Sequence, residues 1–509
     1  MNKIKIVLPF MLLFAFTSFL RTTAFNFPYE RDEGGYAYVA YFARQGIIPY
    51  RDVFDQKPPL IYLIFYLGEI INPGGTWGPR VLAATFTYAS AILIYFVGKK
   101  EFDRKTGLVS MWLFVAMLTI PEMTPFSANT EIFLLPFMIG GYLIFVNYGN
   151  SNKKLPWFIF GVLSSIAVLF KPICTPLLLY IFILWVCKHS AKNHNVRQLL
   201  IRISLTILGT VIVITPIFLY LVKNNALKPF IDTVILYNLQ YSRQFQNGGL
   251  LRFYKVIIGL LGIFPLVFLT IFIYFFINRR HLWLYLGTLF FLFLPVYNTP
   301  ILHYYLITIP FLALFSSAAF NHLLNNYNIK GGFSRLYLTG FFVFSVMAAN
   351  FYSLTSKEML LQRTYLPNPF SSSKIFADIL KNNTENNDEI LMLGNEPQVL
   401  YYSKRISASR FFYLYPILIP TAEAKVYREE YINDLQLKQP KHIVYSPFPI
   451  SDTVQGDGVS SFFAKINKII QEKYEIVGGC ASDKDCGWTE NVNANNTNRY
   501  SFILYRKRV

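Results

Sequence analysis

Long runs of apolar residues, separated by short polar segments, occupy most of the chain. Eleven such runs approach the length of about 20 residues that an α-helix needs to cross a bilayer. They lie at 4–20, 78–97, 107–120, 132–146, 157–170, 173–186, 199–222, 256–277, 282–296, 306–320 and 336–349. The pattern predicts a polytopic α-helical membrane protein with about eleven transmembrane helices.

The first apolar run has the basic start and apolar centre of a signal peptide, but no small-x-small cleavage motif follows it. We therefore expect it to be retained as the first transmembrane helix.

Composition supports a membrane protein. Of the 509 residues, 54% are hydrophobic, 18% are aromatic and 15% are charged, and this balance is too apolar for an ordinary soluble enzyme. A net charge of +19 could indicate nucleic-acid binding. The Lys and Arg residues, however, lie in small clusters between apolar runs. This distribution is typical of membrane proteins, in which basic loops determine the orientation in the membrane. We therefore expect the protein to contact membrane lipids and not to bind nucleic acid.

The basic clusters fall on alternate connections between the runs. With a cytoplasmic N-terminus, every second connection is cytoplasmic, and these connections hold the clusters at 3–5, 99–105, 153–154, 188–197, 279–280 and 330–335. An odd number of spans places the remaining residues outside the cytoplasm. We therefore expect a membrane domain at 1–353, with a first outer loop at about 22–77, and an extracytoplasmic domain at 354–509, in the cytoplasmic (inner) membrane.

The C-terminal part of the chain has a different pattern. Residues 371–405 predict a helix, a polar turn, a short strand, a Gly turn and a second helix, and "KHIVYSP" and "YSFILYRKR" are typical of strands. This pattern predicts a small α/β domain. Its Cys480 and Cys486 could pair in an oxidising compartment or could remain unpaired.

Ionisable residues gather on the predicted outer side of the membrane. Because such groups are costly at membrane depth, each is a functional candidate unless it faces water. A carboxylate beside a dry pocket gains proton affinity through burial and can act as a general base, while a lysine at headgroup level suits a lipid phosphate. The candidates are Asp32, Glu33, Lys57, Arg80, Glu131, Lys171 and His303.

Each of these residues also has a structural interpretation. Asp32 and Glu33 could cap a short interfacial helix in "GGYAYVAYFARQG", and Lys57, before a double proline, could extend along the membrane surface to reach water. Asn129 and Glu131 could cap a transmembrane helix, and His303 could be an ordinary interface histidine. Their occurrence together on one predicted side nevertheless favours a site.

The order of the motifs resembles that of a known family. An acidic pair after the first span, an interfacial helix, "KPPL", "ANTE", "LFKP" and "HYYLITIPF" follow one another. This order resembles the protein O-mannosyltransferase and lipid A aminoarabinose transferase group of C-type (GT-C) glycosyltransferases. The resemblance implies a GT-C-like membrane domain with interfacial helices in its first outer loop, followed by the outer α/β domain.

The resemblance also implies roles for individual residues. Asp32 matches the presumed catalytic base, Glu33 matches its partner, and Lys57 matches a lysine that contacts the lipid phosphate. His303 and Arg80 are further candidates for the donor phosphate. Residues expected to support the site or the acceptor are Glu131, Asn129, Lys171 and Tyr304.

The implied activity is a hexosyl or pentosyl transfer. The enzyme would move a sugar, with inversion, from a polyprenyl-phosphate donor to a hydroxyl of an envelope glycan, lipid or protein on the outer membrane face. No cofactor is required, and a divalent metal is possible without being indicated. The alternatives are a lipid or glycolipid flippase or transporter, an O-antigen ligase or polymerase, and a binding or sensor protein.

The alternating basic clusters generate a first prediction about topology. Protease added to intact right-side-out vesicles should remove the C-terminal domain, because this domain should face outward. Immunoblotting with an antibody against the domain checks this result. Cleavage only after the membrane has been opened would contradict both the topology and the outer-face site.

Overall fold

The protein is described here by a computed structural model. The structure describes residues 3–22, 24–120, 123, 126–192, 195–243, 249–277, 282–297, 299, 301–327, 332–351, 368–447, 458–481, 485–492 and 494–508. The expected domain boundary at 353–354 lies outside these residues.

The described N-terminal part consists mainly of helices. In chain order its described α-helices are α1 (Lys3–Thr22), α2 (Arg31–Ala43), α3 (Leu60–Ile71), α4 (Trp77–Glu101), α5 (Arg104–Met117), α6 (Thr130–Tyr148), α7 (Leu155–Phe170), α8 (Thr175–Lys192), α9 (Val196–Lys223), α10 (Leu227–Phe230), α11 (Tyr237–Arg243), α12 (Gly249–Ile263), α13 (Pro265–Ile277), α14 (Leu282–Phe293), α15 (Ile309–Asn326) and α16 (Gly332–Phe351). Short 3₁₀ helices cover Pro172–Cys174 and Leu302–Thr308, and a π-helix covers Ile231–Leu236.

Every predicted apolar run contains helix, but not every helix is a full span. Five helical segments in the described part of the chain are long and apolar enough to cross a membrane, or up to six if one bent pair counts as a span. The five are Trp77–Glu101, Thr130–Tyr148, Pro172–Ser190, Val196–Lys223 and Leu302–Asn326. The predicted count of about eleven spans therefore stays a prediction.

The run at 256–277, which the sequence predicts as one apolar segment, is divided in the structure into two helices, α12 and α13. Leu250–Ile263 and Pro265–Phe276 meet at an angle of 102°. Pro265 has no backbone N–H to continue the preceding helix, but it suits the first position of a new one. The break therefore coincides with a proline that favours a helix start.

The segment at about 22–77, predicted as the first outer loop, contains two short helices, α2 and α3. The interfacial helix expected at 34–46 corresponds to α2, which begins three residues earlier, at Arg31. Much of α2 is buried, and the Tyr38 ring stacks on Phe412 with the ring centroids 4.5 Å apart. Protein, and not lipid, therefore covers this face of α2.

The C-terminal part is the α/β domain that the sequence predicts. Its elements are α17 (Phe370–Asn383), β1 (Ile390–Leu393), α18 (Pro397–Ser403), α19 (Tyr415–Leu418), α20 (Ala424–Lys438), β2 (His442–Tyr445), α21 (Val459–Lys473), β3 (Tyr474–Cys480), β4 (Trp488–Thr489) and β5 (Phe502–Lys507). The sheet order is β1-β2-β5-β3-β4; β1 and β2 are parallel and the other neighbours are antiparallel. Cys480 and Cys486 form a disulfide.

The C-terminal domain packs directly on α2. Arg31 forms an ion pair with the fully buried Glu396, with Nη2 and Oε1 2.7 Å apart. The backbone N–H of Ser407 donates to the Tyr38 hydroxyl at 2.9 Å. A side chain at Gly34 would meet the backbone of Gln398, whose Cα lies 2.8 Å from the Cβ position. The absence of a side chain at Gly34 therefore permits close approach of the two domains.

This close approach generates a second prediction. Gly34→Ala should weaken domain docking and lower the melting temperature of the purified protein, because the added methyl overlaps the Gln398 backbone. Limited proteolysis should release the C-terminal domain more quickly. The matched control is Gly35→Ala, where the nearest atom would be 3.7 Å away. That change should be neutral or stabilising by about 0.5–1 kcal/mol. Equal behaviour of the two variants would contradict the packing argument.

Candidate active site

The start of α2 directs two acidic side chains in different directions. Glu30 is the N-cap, and its carboxylate accepts the backbone N–H groups of Asp32 and Glu33 at 2.9 and 3.1 Å. Capping by Asp32 and Glu33 themselves, the structural alternative from the sequence, is therefore wrong. Both residues lie in the first turn, with their side chains free for other contacts.

Asp32 faces a cavity together with Lys57. Lys57 Nζ donates to Asp32 Oδ2 at 3.2 Å, and both residues line a cavity of about 210 Å³. The Tyr50 hydroxyl donates to the Lys57 carbonyl at 2.9 Å, and Asp55 Oδ1 accepts the Lys57 backbone N–H at 3.3 Å. The Lys57 side chain is only 10% exposed. Lys57 is therefore held inside the site, and the alternative of a lysine extending along the membrane surface is wrong.

Glu33 makes a separate, fully buried ion pair with Arg80. Arg80 Nε and Nη2 donate to the two Glu33 carboxylate oxygens at 3.0 and 2.6 Å. The Ala128 backbone N–H donates to Glu33 at 2.8 Å, and Arg80 also donates to the carbonyls of Ala24 and Phe27 at 2.7 Å. Neither Glu33 nor Arg80 lines the cavity beside Asp32. This geometry favours a structural role for both residues over the predicted catalytic and phosphate-binding roles.

A second buried pair lies at the start of α6. Lys171 Nζ donates to Glu131 Oε1 at 2.5 Å, and His303 Nε2 lies 3.8 Å from the same oxygen. Lys171 Nζ also lies 3.3 Å from the centre of the Tyr304 ring. Asn129 occupies the N-cap position of α6 but makes no side-chain capping bond. The structure thus groups Glu131, Lys171 and Tyr304, which were predicted to support the site. It places His303, predicted as a candidate for the donor phosphate, beside Glu131.

Two cavities meet at Lys57. The second cavity has a volume of about 170 Å³ and includes Lys171, Pro172 and Thr299 in its wall. Residues that line both cavities are Gln56, Lys57, Tyr241 and Tyr304. Asp32 and His303 belong to the first cavity, and Lys171 belongs to the second. A ligand spanning the junction would pass Lys57.

Sequence reasoning missed Tyr36. This residue follows Asp32 by four positions in α2 and therefore lies on the same helix face. It is 1% exposed, it lines the first cavity, and its hydroxyl has no hydrogen-bond partner among the described residues. Lys57 Nζ lies 5.5 Å from its ring centre. The four-residue spacing from Asp32 was the signal that could have identified it.

Sequence reasoning also missed the cavity wall that the C-terminal domain supplies. Asn395, Pro397, Tyr413 and Tyr415 line the first cavity opposite α2. The Tyr415 backbone N–H donates to Asn395 Oδ1 at 2.6 Å, and the Tyr415 and Tyr241 hydroxyls are 3.3 Å apart. The four residues of the C-terminal domain lie more than 300 positions from Asp32, so no local pattern connects them with it.

The pKa of the Asp32 carboxyl is shifted in the direction opposite to the one expected from the sequence. Burial by itself would raise the pKa of the Asp32 carboxyl, but Lys57, His303 and Lys171 outweigh burial, so the pKa lies below its usual range. The expectation that burial makes Asp32 a stronger base is therefore wrong. Burial does raise the pKa of nearby Asp55 to about 6.

A metal centre has no support from the side-chain arrangement. Within the described ranges, no group of three or more His, Cys, Asp or Glu side chains is placed to hold a metal ion. The candidate chemistry of the described site consists of carboxylates, ammonium groups and tyrosine hydroxyls.

Comparisons with known proteins identify the fold. Residues 56–220, less than half of the chain, match the family described as dolichyl-phosphate-mannose-protein mannosyltransferase. The structure is similar to ArnT from Cupriavidus metallidurans bound to undecaprenyl phosphate, with a TM-score of 0.63 and 13% identity over 99% of this chain and 98% of that one. The apo state of the same protein gives a TM-score of 0.60 and 14% identity over 97% of each chain.

A third similar structure is an archaeal oligosaccharyltransferase, AglB from Archaeoglobus fulgidus, in complex with an inhibitory peptide and a dolichol phosphate. Its TM-score is 0.53, with 12% identity over 96% of this chain and 75% of that one. No curated protein sequence matches the chain. These results confirm the predicted GT-C-like fold class and the resemblance drawn from the motifs. The matched segment includes Lys57, Glu131 and Lys171, but begins after Asp32.

The two ion pairs of α2 generate a third prediction. Glu33→Gln should destabilise the protein by about 3–5 kcal/mol, because it leaves the Arg80 charge buried without its carboxylate partner. Asp32→Asn should cost about 1 kcal/mol or less, because the Asp32 side chain is 38% exposed. Thermal unfolding in detergent ranks the two variants. A larger loss for Asp32→Asn would reverse the assignment of structural and functional carboxylates.

Proposed function

We propose that this protein is a glycosyltransferase that moves a sugar from a polyprenyl-phosphate-linked donor to a hydroxyl group of an envelope acceptor. The observation that carries the proposal is the Asp32–Lys57 pair at the junction of two cavities. A carboxylate and a cation in one wall are the two groups that this reaction requires. The solved complexes of ArnT with undecaprenyl phosphate and of AglB with dolichol phosphate support a lipid phosphate as the donor carrier.

The proposed phosphate position lies between Lys57 and Lys171. Both lysines line the second cavity, and Lys57 also borders the first. Two ammonium groups would bind the donor phosphate and stabilise the negative charge that develops on it as the bond to the sugar breaks. The Tyr36 hydroxyl, which has no hydrogen-bond partner in the described part of the chain, is available as a further donor.

The proposed base is Asp32. The acceptor hydroxyl would give its proton to the Asp32 carboxylate while its oxygen forms a bond to the anomeric carbon. The electron pair of the broken carbon–oxygen bond would leave on the phosphate, and attack from the opposite face would invert the configuration. Because a bound phosphate would compete for Lys57, it would also weaken the ion pair that lowers the pKa of Asp32.

Asp55 is the alternative base in the same cavity. Asp55 is 4% exposed, and its pKa of about 6 is closer to neutral pH, where general bases work best. Its Oδ1 atom, however, already accepts the Lys57 backbone N–H. We therefore assign Asp55 to positioning Lys57 and Asp32 to the proton transfer. Substitution of each residue separates the two assignments.

The supporting residues receive structural roles in this proposal. Glu131 holds Lys171 in place through the 2.5 Å contact, and Glu33 with Arg80 holds the first turn of α2. The aromatic wall of Tyr241, Tyr413 and Tyr415 closes the first cavity over the reacting groups. The acceptor would enter from the outer membrane face, as the alternation of basic clusters predicts.

The decisive experiment uses purified protein in nanodiscs with radiolabelled polyprenyl-phosphate sugars and a total envelope extract as acceptor. Label that moves from the lipid to the extract would establish transfer and identify the sugar. Movement of the lipid between leaflets without transfer would favour the flippase alternative. No transfer with any donor would contradict the proposed activity.

The fourth prediction concerns the catalytic roles. Asp32→Asn should lower turnover by about 10²–10⁴-fold, because the amide cannot accept the proton. Asp55→Asn should have a smaller effect. The matched control is Asp52→Asn in the same loop, whose side chain pairs with the exposed Arg51 and does not line the first cavity. Greater loss in Asp55→Asn than in Asp32→Asn would move the base to Asp55.

The same assay tests the phosphate position. Lys57→Ala should raise the donor concentration needed for half-maximal rate, since the phosphate loses a direct cation partner. It should also raise the pKa of Asp32 and move the acidic limb of the pH–rate profile upward. Lys228→Ala is the control, because that side chain is 86% exposed. Unchanged donor dependence in Lys57→Ala would remove Lys57 from the phosphate site.

A further inference from the structure

A separate apolar groove lies between four helices of the N-terminal part. It has a volume of about 690 Å³ and is lined by residues of α1, α5, α15 and α16. Apolar side chains form most of its wall; they include Leu12, Trp112, Leu336, Val343 and Phe344. None of its lining residues borders either cavity beside Lys57. The groove is therefore distinct from the candidate active site.

One end of the groove is basic. Lys105 and Arg335 line it, and each lies in the first turn of its helix, α5 and α16 respectively. Asn321 donates to Thr106 at 3.1 Å, and Arg335 donates to Asn325 at 2.7 Å. Because Asn321 and Asn325 are one turn apart on α15, these bonds place both basic side chains at the same end. The groove thus runs from two cations to an apolar interior.

The length of the groove matches one leaflet of a bilayer. Its lining on α16 extends from Arg335 to Met347, which is about 18 Å at 1.5 Å per residue. Half of a hydrocarbon core is about 15 Å. Leu12 and Leu336 are 52% and 71% exposed, so the groove opens toward the surroundings of the helices. An acyl chain could therefore enter from the side and extend along α16.

The basic end also lies away from the candidate active site along α5. This helix runs from Arg104 to Met117, about 20 Å, before the chain continues toward Glu131. A ligand phosphate at Lys105 is therefore separated from a phosphate at Lys57. This separation favours a structural lipid over the donor lipid as the occupant.

We propose that the groove binds an anionic phospholipid, with its phosphate at Lys105 and Arg335 and one acyl chain between α1, α5 and α16. Two cations at the polar end complement a negatively charged headgroup, while the apolar lining complements the chain. Glu101 and Asp103 line a neighbouring polar pocket that shares Asn321 but are not part of the groove wall. The proposal does not depend on the glycosyltransferase activity.

The experiment measures lipid retention directly. The full chain is reconstituted with equal amounts of phosphatidylglycerol and phosphatidylcholine and is then purified in mild detergent. Native mass spectrometry measures how much of each lipid remains bound to the protein. Preferential retention of phosphatidylglycerol is expected. The double variant Lys105→Ala with Arg335→Ala should reduce that retention by about 30-fold, the equivalent of about 1 kcal/mol for each basic side chain.

Two further variants control for charge and for folding. Lys153→Ala with Lys154→Ala removes two exposed lysines outside the groove and should leave phosphatidylglycerol retention unchanged. Gly340→Phe should reduce retention without changing charge, because a Cβ at Gly340 would meet no atom within 4 Å and the ring would extend into the groove. Each variant that loses lipid must elute as a monodisperse peak, like the parent protein, so that the loss of lipid is not caused by misfolding.

Three results would overturn the proposal. The first is equal retention of the two lipids by the parent protein, and the second is unchanged retention in both the double variant and Gly340→Phe. The third is displacement of phosphatidylglycerol by added undecaprenyl phosphate at equal concentration, which would make the groove a donor-lipid site.

Discussion

The buried Glu33–Arg80 ion pair is the interaction on which the geometry of the candidate site depends. It joins the first turn of α2 to α4, and Arg80 also donates to carbonyl groups in the segment that precedes α2. A charge pair without water is stable only when its remaining hydrogen bonds are satisfied, and Ala128 completes this one. Because Asp32 is the neighbouring residue, the pair also determines where the Asp32 carboxylate lies.

The remaining site consists of groups that restrain one another. Lys57 is held through its backbone by Tyr50 and Asp55, while its ammonium group faces Asp32. Lys171 is held by Glu131. A preorganised pair of cations needs little reorganisation when an anion arrives, which is the condition for effective electrostatic stabilisation. The C-terminal domain supplies one wall of the first cavity and is therefore part of the candidate site.

Much of the fold and part of the candidate site could be predicted from local patterns. The apolar runs, the strands β1, β2 and β5, and the acidic and basic candidates were visible because each depends on residues close together in the chain. The break before Pro265 was missed, since a uniformly apolar run hides a bend. The strands β3 and β4 were also missed; β4 has only two residues, too few to show an alternating pattern. Tyr36 required one further step, from the position of Asp32 to the next turn of the same helix.

The sequence by itself determined that the chain is a membrane protein with a C-terminal α/β domain, because hydrophobicity and helix or strand periodicity are local properties. It also identified Asp32, Lys57 and Lys171 as unusual charges. Only the tertiary structure decided that Glu33 pairs with Arg80 and that Lys57 lowers the pKa of Asp32. The physical reason is that burial and Coulombic partners depend on distances between residues far apart in the chain, and these distances exist only after folding.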